Sequence, residues 1–237
     1  MVIMDKDLIE LGKKNAAIKA VEENVKKNMI LGIGSGSTVV YAVKKIAEIN
    51  QRENLNLKCI PTSFQSNQLI VENGLTLVSL DQYPEIDLDI DGADEIDNSL
   101  NLIKGGGGCL VQEKIVASCA KTLVIIADFT KKSGFLGENW KRGIPVEIIP
   151  MSYIPVMKKL DKLGGIPVLR MAQAKAGPVV SDNGNFIIDV DFGQINNPDD
   201  LNTKLLKISG IVDTGLFVGM ASKAYIGQKD GTVAIFD

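Results

Sequence analysis

The stretch MILGIGSGSTVVYAVKKIAEI, residues 29–49, decides the fold class. Residues 29–33 are a short apolar run ending in a glycine loop, the pattern of a buried strand. From Ser37 to Ile49 apolar residues recur at Val40, Val43 and Ile46, the spacing of one helix face. The same grammar continues downstream, where residues 57–60 read as a strand, Pro61-Thr62-Ser63 as a turn, 65–72 as a helix and 75–80 as a strand. Upstream, Leu8, Leu11, Ile18, Val21 and Val25 give residues 6–27 an amphipathic helical pattern. Strands alternating with helices predict an α/β fold, a mostly parallel sheet with helices on both faces, which binds ligands beyond the carboxyl ends of its strands. Ile86, Leu88 and Ile90 alternate with Asp87, Asp89 and Asp91, so this strand delivers Asp91 to its end, and residues 123–127 form another that ends at Asp128.

After Asp128 the pattern changes. Residues 146–149 read as a strand, 152–163 as a helix closed by Gly164-Gly165, and 166–171 as a strand. Asp182-Asn183-Gly184 is a hairpin turn before a strand at 186–190, and a helix follows at 198–207. This succession suggests a small α+β subdomain over 130–207, and the short strands expected at 210–218, 223–226 and 232–236 return to the first sheet. The expected division is an α/β domain of residues 1–129 and 208–237 with a small α+β subdomain of residues 130–207.

With 237 residues, 45% hydrophobic and 23% charged, the chain is long enough to bury a sizeable core and falls in the ordinary globular range. A net charge of −3 offers no basic field for a nucleic-acid backbone, and basic residues cluster only in pairs such as Lys13-Lys14 and Lys131-Lys132, so no nucleic-acid partner is expected. Cys59, Cys109 and Cys119 form no C-x-x-C pair and are odd in number, which suggests neither zinc nor disulfides and points to a reducing cytoplasm. No run approaches a membrane span, and residues 1–10 carry acidic residues where a secretory signal needs a basic start. The expectation is a cytoplasmic protein with no membrane partner.

The chain contains no histidine, so a general base near neutral pH must be a carboxylate, lysine or cysteine in a tuned environment. Candidates concentrate in DGADEIDNSLNLIKGGGGCLVQEK, residues 91–114. Lys104 leads into four successive glycines, and glycine loses the most backbone entropy on folding, so the run suggests backbone brought close to a ligand rather than a flexible linker. The helical pattern Val111, Ile115, Cys119 makes the run a helix N-terminus, suited to an anion or oxyanion. Glu113 then falls on the first turns of that helix, as a catalytic carboxylate or as a surface partner in an E-K pair. The loop 32–38 also opens a helix and offers backbone N–H groups with the hydroxyls of Ser35, Ser37 and Thr38 to a phosphate or sugar; the alternative is a tight turn with Ser37 as the helix N-cap. The dinucleotide fingerprint fails because Ser37 or Val39 stands where glycine is required, and a Walker A lysine is missing. Asp87, Asp89 and Asp91 open like a calcium loop, but Asn98 replaces its bidentate glutamate, which excludes calcium. Magnesium on Asp91 and Asp94 stays open, as does a solvated acidic turn over 91–97.

Taken together, GIGSGST at 32–38, DGADE at 91–95, KGGGG at 104–108 with EK at 113–114, and ADFTK at 127–131 resemble the type A ribose-5-phosphate isomerases. PVEIIP at 145–150, KLGGIP at 162–167, DNGN at 182–185 and GLF at 215–217 extend the resemblance over almost the whole chain. It implies a Rossmann-like α/β domain with a small α+β, ferredoxin-like lid, no metal and no cofactor, and a homodimer or homotetramer. The implied activity is interconversion of ribose 5-phosphate and ribulose 5-phosphate through a cis-enediol in the non-oxidative pentose phosphate pathway. Residue by residue, the resemblance implies Glu113 as proton acceptor, with Lys104 and Asp91 as further catalytic groups. Ser35, Gly36, Ser37, Thr38, Asp91, Gly92, Ala93, Asp94, Lys104, Gly105, Gly106, Gly107 and Lys131 are the implied substrate contacts, with Lys14 reaching the phosphate. Two departures stand out: Ser35 where many relatives carry threonine, which keeps the hydroxyl, and Cys109 where alanine is common, expected as a small packing residue.

Three other readings compete. A non-catalytic sugar-phosphate sensor of related fold is expected to carry a DNA-binding head, for which 31 residues ahead of the first glycine loop leave no room. An aminosugar-phosphate deaminase usually relies on the histidine absent here. A CoA transferase needs covalent carboxylate chemistry that the lysine and glycine context does not suggest.

Overall fold

A computed structural model describes residues 2–237, with side chains described from Lys6 onward; Met1, the first residue of the expected signal-free N-terminus, lies outside the described residues. The chain forms two compact units, one of Met1–Ala93, Gln112–Lys132 and Met220–Asp237, the other of Asp94–Val111 and Ser133–Gly219.

The first unit is built on a seven-stranded sheet in the order Val233–Phe236, Lys223–Gly227, Leu123–Asp128, Leu88–Asp91, Ile30–Ile33, Lys58–Pro61, Thr76–Leu77. Neighbours pair in parallel from Lys223–Gly227 to Thr76–Leu77, and Val233–Phe236 closes the edge antiparallel. Because side chains alternate across a strand, Leu31, Ile33, Leu88, Ile90, Val124 and Ile126 all reach one face. There they join Ala16, Ala17 and Val21 of helix Val2–Asn24 and Val39, Val43 and Ile46 of helix Ser37–Glu53 in one core. Each fully buried valine, leucine or isoleucine among them contributes roughly 1.5–3 kcal/mol. On the opposite face Ile60 and Ile86 pack with Val116 of helix Leu110–Ser118, so the expected sheet with helices on both faces is observed. Helix Ser37–Glu53 runs past the expected end at Ile49 and stops at Asn54, whose φ of 50° is the left-handed cap that asparagine tolerates. The strand expected at 75–80 shortens to Thr76–Leu77, since Val78 and Leu80 turn into the Ile60 cluster instead of extending the edge.

The second unit contains a β-α-β-β-α-β succession: Ile144–Ile148, Tyr153–Lys162, Ile166–Leu169, Phe186–Asp191, Pro198–Leu206 and Ile211–Thr214. Its strands pair antiparallel in the order Ile211–Thr214, Ile144–Ile148, Phe186–Asp191, Ile166–Leu169, a ferredoxin-like arrangement. Ile144, Val146, Ile148, Ile188 and Val190 face Val156 and Leu160 of the first helix and Leu205 of the second. The expected turn at Asp182-Asn183-Gly184 forms, with Gly184 N–H donating to Ser181 O at 2.9 Å and Val180 bridging Phe186.

One expectation is corrected here. Residues 210–218 do not return to the first sheet: Ile211–Thr214 takes the edge beside Ile144–Ile148, and Leu216–Phe217 pairs with Leu102–Ile103. Leu102–Ile103 pairs in turn with Glu95–Ile96, making a three-stranded sheet that two-residue strands could not announce by periodicity. Glu95, fully buried, anchors it by accepting the N–H groups of Gly137 and Asn139, both at 2.6 Å. Lys223–Gly227 and Val233–Phe236 do return to the first sheet. No helix among the described residues is long and apolar enough to cross a membrane.

Candidate active site

In the first unit, strands Ile30–Ile33 and Leu88–Asp91 lie side by side and parallel, so the loop 34–36 and Asp91 emerge together at their carboxyl ends. Asp91 is buried, and its Oδ1 accepts the N–H groups of Ser35 at 3.0 Å and Gly92 at 2.7 Å. Gly34 allows this approach, because a Cβ there would overlap the Asp91 carboxylate. Gly36, at φ 99°, is the N-cap of helix Ser37–Glu53, and no side chain caps that helix. Ser37 is therefore the first helical residue and not the cap, which leaves the positive helix end open to an anion.

The loop is braced by hydroxyls that the sequence pattern does not single out. Thr62 Oγ1 donates to Ile33 O at 2.9 Å, and Ser35 Oγ donates to Ser63 Oγ at 2.6 Å while lying 3.0 Å from Thr62 Oγ1. Gly36 N–H donates to Gln65 Oε1 at 2.8 Å. The Ser35 proton is thus spent inward, whereas the Ser37 and Thr38 hydroxyls make no hydrogen bond among the described residues. The signal for Thr62 and Ser63 was the polar turn directly after a strand, at the same sheet end as the glycine loop.

Glu113 lies in the first turn of Leu110–Ser118 and is 5% exposed. A carboxylate in that position gains from the positive helix end, and its burial sets it apart from an ordinary surface glutamate. Lys131 closes the 3₁₀ turn Phe129–Lys131, which Asp128 caps by accepting Thr130 N–H at 2.9 Å. Lys14 is exposed on helix Val2–Asn24, and among the described residues no hydrogen bond or ion pair ties it to the loop. Gly92 and Ala93 follow Asp91 at the end of this unit's segment.

In the second unit Lys104 is 3% exposed, its N–H donating to Gly215 O at 2.8 Å and its Nζ standing 5.4 Å from the Phe217 ring centre. Burial beside a ring keeps a lysine in one place. Gly105 and Gly108 have φ of 95° and 86°, and Gly108 N–H donates to Gly105 O at 2.9 Å, so the glycine run is a formed turn and not a linker. Asp94 Oδ2 accepts Gly106 N–H at 2.6 Å, and a Cβ on Gly106 would meet Asp94 and Trp140 at 2.6 and 2.8 Å. Gly107 is exposed. Asp91 and Asp94 each commit an oxygen to backbone N–H groups, and among the described residues no group of three His, Cys, Asp or Glu side chains is placed to hold a metal ion.

The family model of ribose 5-phosphate isomerase A (phosphoriboisomerase A) matches residues 58–231. The ribose-5-phosphate isomerase of Sus scrofa is 58% identical over 225 residues, covering 94% of this chain and 74% of its own length. That of Dictyostelium discoideum is 57% identical over 226 residues, covering 94% of this chain and 96% of its own. Among solved structures, ribose 5-phosphate isomerase A from Methanocaldococcus jannaschii has a TM-score of 0.90 at 40% identity, covering 98% of this chain and 99% of its own. A D-ribose-5-phosphate isomerase in complex with phospho-erythronic acid has a TM-score of 0.91 at 36% identity, covering 95% and 97%. With identity and fold agreeing over nearly its full length, the chain belongs to the ribose 5-phosphate isomerase A family.

Proposed function

We propose that Glu113 is the base that carries a proton between C2 and C1 of ribose 5-phosphate, with Lys104 and the glycine amides holding the enediolate oxygens. The overall activity, interconversion of D-ribose 5-phosphate and D-ribulose 5-phosphate, follows from membership of the family. In the open-chain aldose, the base takes the C2 proton, the electrons form the C1–C2 double bond, and the carbonyl oxygen becomes an oxyanion. Return of the proton to C1 and loss of the O2 proton then give the ketose. One base and one electrophilic partner are the minimum apparatus. Asp91 is assigned to ring opening and to moving the hydroxyl proton from O2 to O1. The observation that carries this reading is a carboxylate, Glu113, only 5% exposed on the first turn of the helix after the glycine run, in a chain without histidine.

The phosphate is assigned to the start of helix Ser37–Glu53, to the Ser37 and Thr38 hydroxyls and to Lys131, with Lys14 as a further cation. Binding energy from this remote group orients the reacting carbons. Phospho-erythronic acid, bound by the relative of known structure, pairs a phosphate with a planar carboxylate that mimics an enediolate, so it serves as a probe of both halves. The same reading makes the protein a cytoplasmic homodimer or homotetramer that does not bind nucleic acid. A non-catalytic sensor is not favoured.

The test is ketose formation from ribose 5-phosphate with a chelator present, in wild type and in Glu113→Gln. A positioned base contributes about 100- to 10,000-fold. Glu113→Gln is expected to lose that factor in kcat while still binding phospho-erythronic acid; wild-type turnover in this variant would refute the assignment of the base.

A further inference from the structure

We propose that Arg170 is a positioning residue for this reaction: clamped by Asp189, its guanidinium fixes the peptide planes of the glycine turn so that Gly107 N–H is presented to the enediolate oxygen. The inference rests on the reading of the glycine run given above.

Arg170 follows strand Ile166–Leu169, and its own N–H donates to Ile187 O at 2.9 Å. Nε donates to Asp189 Oδ2 at 2.8 Å and Nη2 to Asp189 Oδ1 at 2.5 Å, a two-pronged pair with side chains 15% and 16% exposed. A planar fork seated on a carboxylate has no freedom left to aim its third nitrogen. That nitrogen, Nη1, donates to the carbonyls of Gly105 at 2.9 Å and Gly106 at 3.3 Å.

In a trans peptide the carbonyl and the N–H point in opposite directions. Two carbonyls drawn to Arg170 therefore turn the N–H groups of Gly106 and Gly107 away from it. Gly106 N–H meets Asp94 Oδ2 at 2.6 Å. Gly107 is exposed, and among the described residues its N–H has no acceptor. Successive glycines have no side chain to pin them and lose the most entropy on ordering. The bond from Gly108 N–H to Gly105 O closes the turn but does not hold the central Gly106–Gly107 peptide, whose carbonyl is held from outside the run by Arg170.

The test compares Arg170→Lys and Arg170→Gln with wild type: kcat and KM for ribose 5-phosphate, and Kd for phospho-erythronic acid and for inorganic phosphate. A donor displaced from its place costs about 10- to 100-fold in kcat. We expect that loss in both variants, with a matching rise in Kd for phospho-erythronic acid, while KM and the Kd of phosphate stay within about threefold. Lysine does not rescue, because its single ammonium cannot reproduce the planar fork that seats on both Asp189 oxygens while aiming a third nitrogen at the carbonyls. A kcat within about twofold of wild type overturns the proposal, and so do equal losses of kcat and phosphate affinity, which report general loosening. Should the Arg170 variants not fold, Asp189→Asn, which unseats the fork at constant size, is measured in the same way, with the same losses expected and the same two results overturning the proposal. A nearly inactive Glu113→Gln beside a fully active Arg170→Gln sinks this inference alone, whereas an active Glu113→Gln beside an impaired Arg170→Gln sinks the base assignment alone.

Discussion

A methyl group at Gly34 would overlap the Asp91 carboxylate that accepts the Ser35 and Gly92 N–H groups, so Gly34→Ala must push either the loop or the aspartate aside. Overpacking of this kind costs about 1–3 kcal/mol. We expect a lowered Tm together with a raised KM for ribose 5-phosphate; an unchanged KM would show that the loop does not depend on Asp91. At this scale the sequence was highly legible. Glycines between a strand and a helix, and aspartate at the end of the neighbouring strand, marked this end of the sheet in the sequence, and the structure shows the close approach of Gly34 to Asp91 that they allow. Arg170 and Asp189 were not legible as site residues, because each acts through a partner at least 19 positions away, whereas Thr62 and Ser63 left only the signal of a polar turn after a strand.

Helix Phe64–Glu72 begins with a capping arrangement in which Ser63 Oγ accepts Ser66 N–H at 3.1 Å, and the same Oγ receives the Ser35 proton at 2.6 Å. One side chain thus ends a helix and steadies the glycine loop. Ser63→Ala is expected to cost about 1 kcal/mol, measured by denaturant unfolding, as loss of an N-cap does. It should also raise KM more than it lowers kcat, since Ser35 loses its acceptor but Glu113 is untouched; a fall in kcat at constant KM would contradict this. Elements long enough to show a period, such as Val2–Asn24, Ser37–Glu53 and Leu123–Asp128, were readable from their residues. Glu95–Ile96, Leu102–Ile103 and Leu216–Phe217 were not, because two residues carry no period and each strand exists only by virtue of its partners.

Within the first unit the chain's two ends are tied together at Tyr225, which is fully buried: its hydroxyl donates to Glu23 at 2.7 Å and accepts from Asn24 at 2.9 Å, more than 200 positions away. Burial first, and then the Glu23 carboxylate, raise its pKa above the usual tyrosine value. A raised value in the folded state stabilises below the unfolded pKa of about 10 and ceases to do so as pH climbs through the folded value. Tyr225→Phe is therefore expected to destabilise by about 1 kcal/mol at pH 7. The gap in Tm from wild type should close in alkali, and a gap that widens there would contradict the direction.

The sequence by itself determined the α/β class, the strand, helix and hairpin succession after Asp128, the glycine and serine loop and the delivery of Asp91 to a strand end, because periodicity, turn chemistry and the glycine runs are local properties. Only the tertiary structure decided that Ile211–Thr214 joins the sheet of the second unit, that the Ser35 proton is turned inward, and that Arg170 holds the glycine turn. Strand partners, the direction of a shared proton and the aim of a guanidinium depend on residues far apart in the chain, and their free energies exist only once packing has brought those residues within hydrogen-bonding distance.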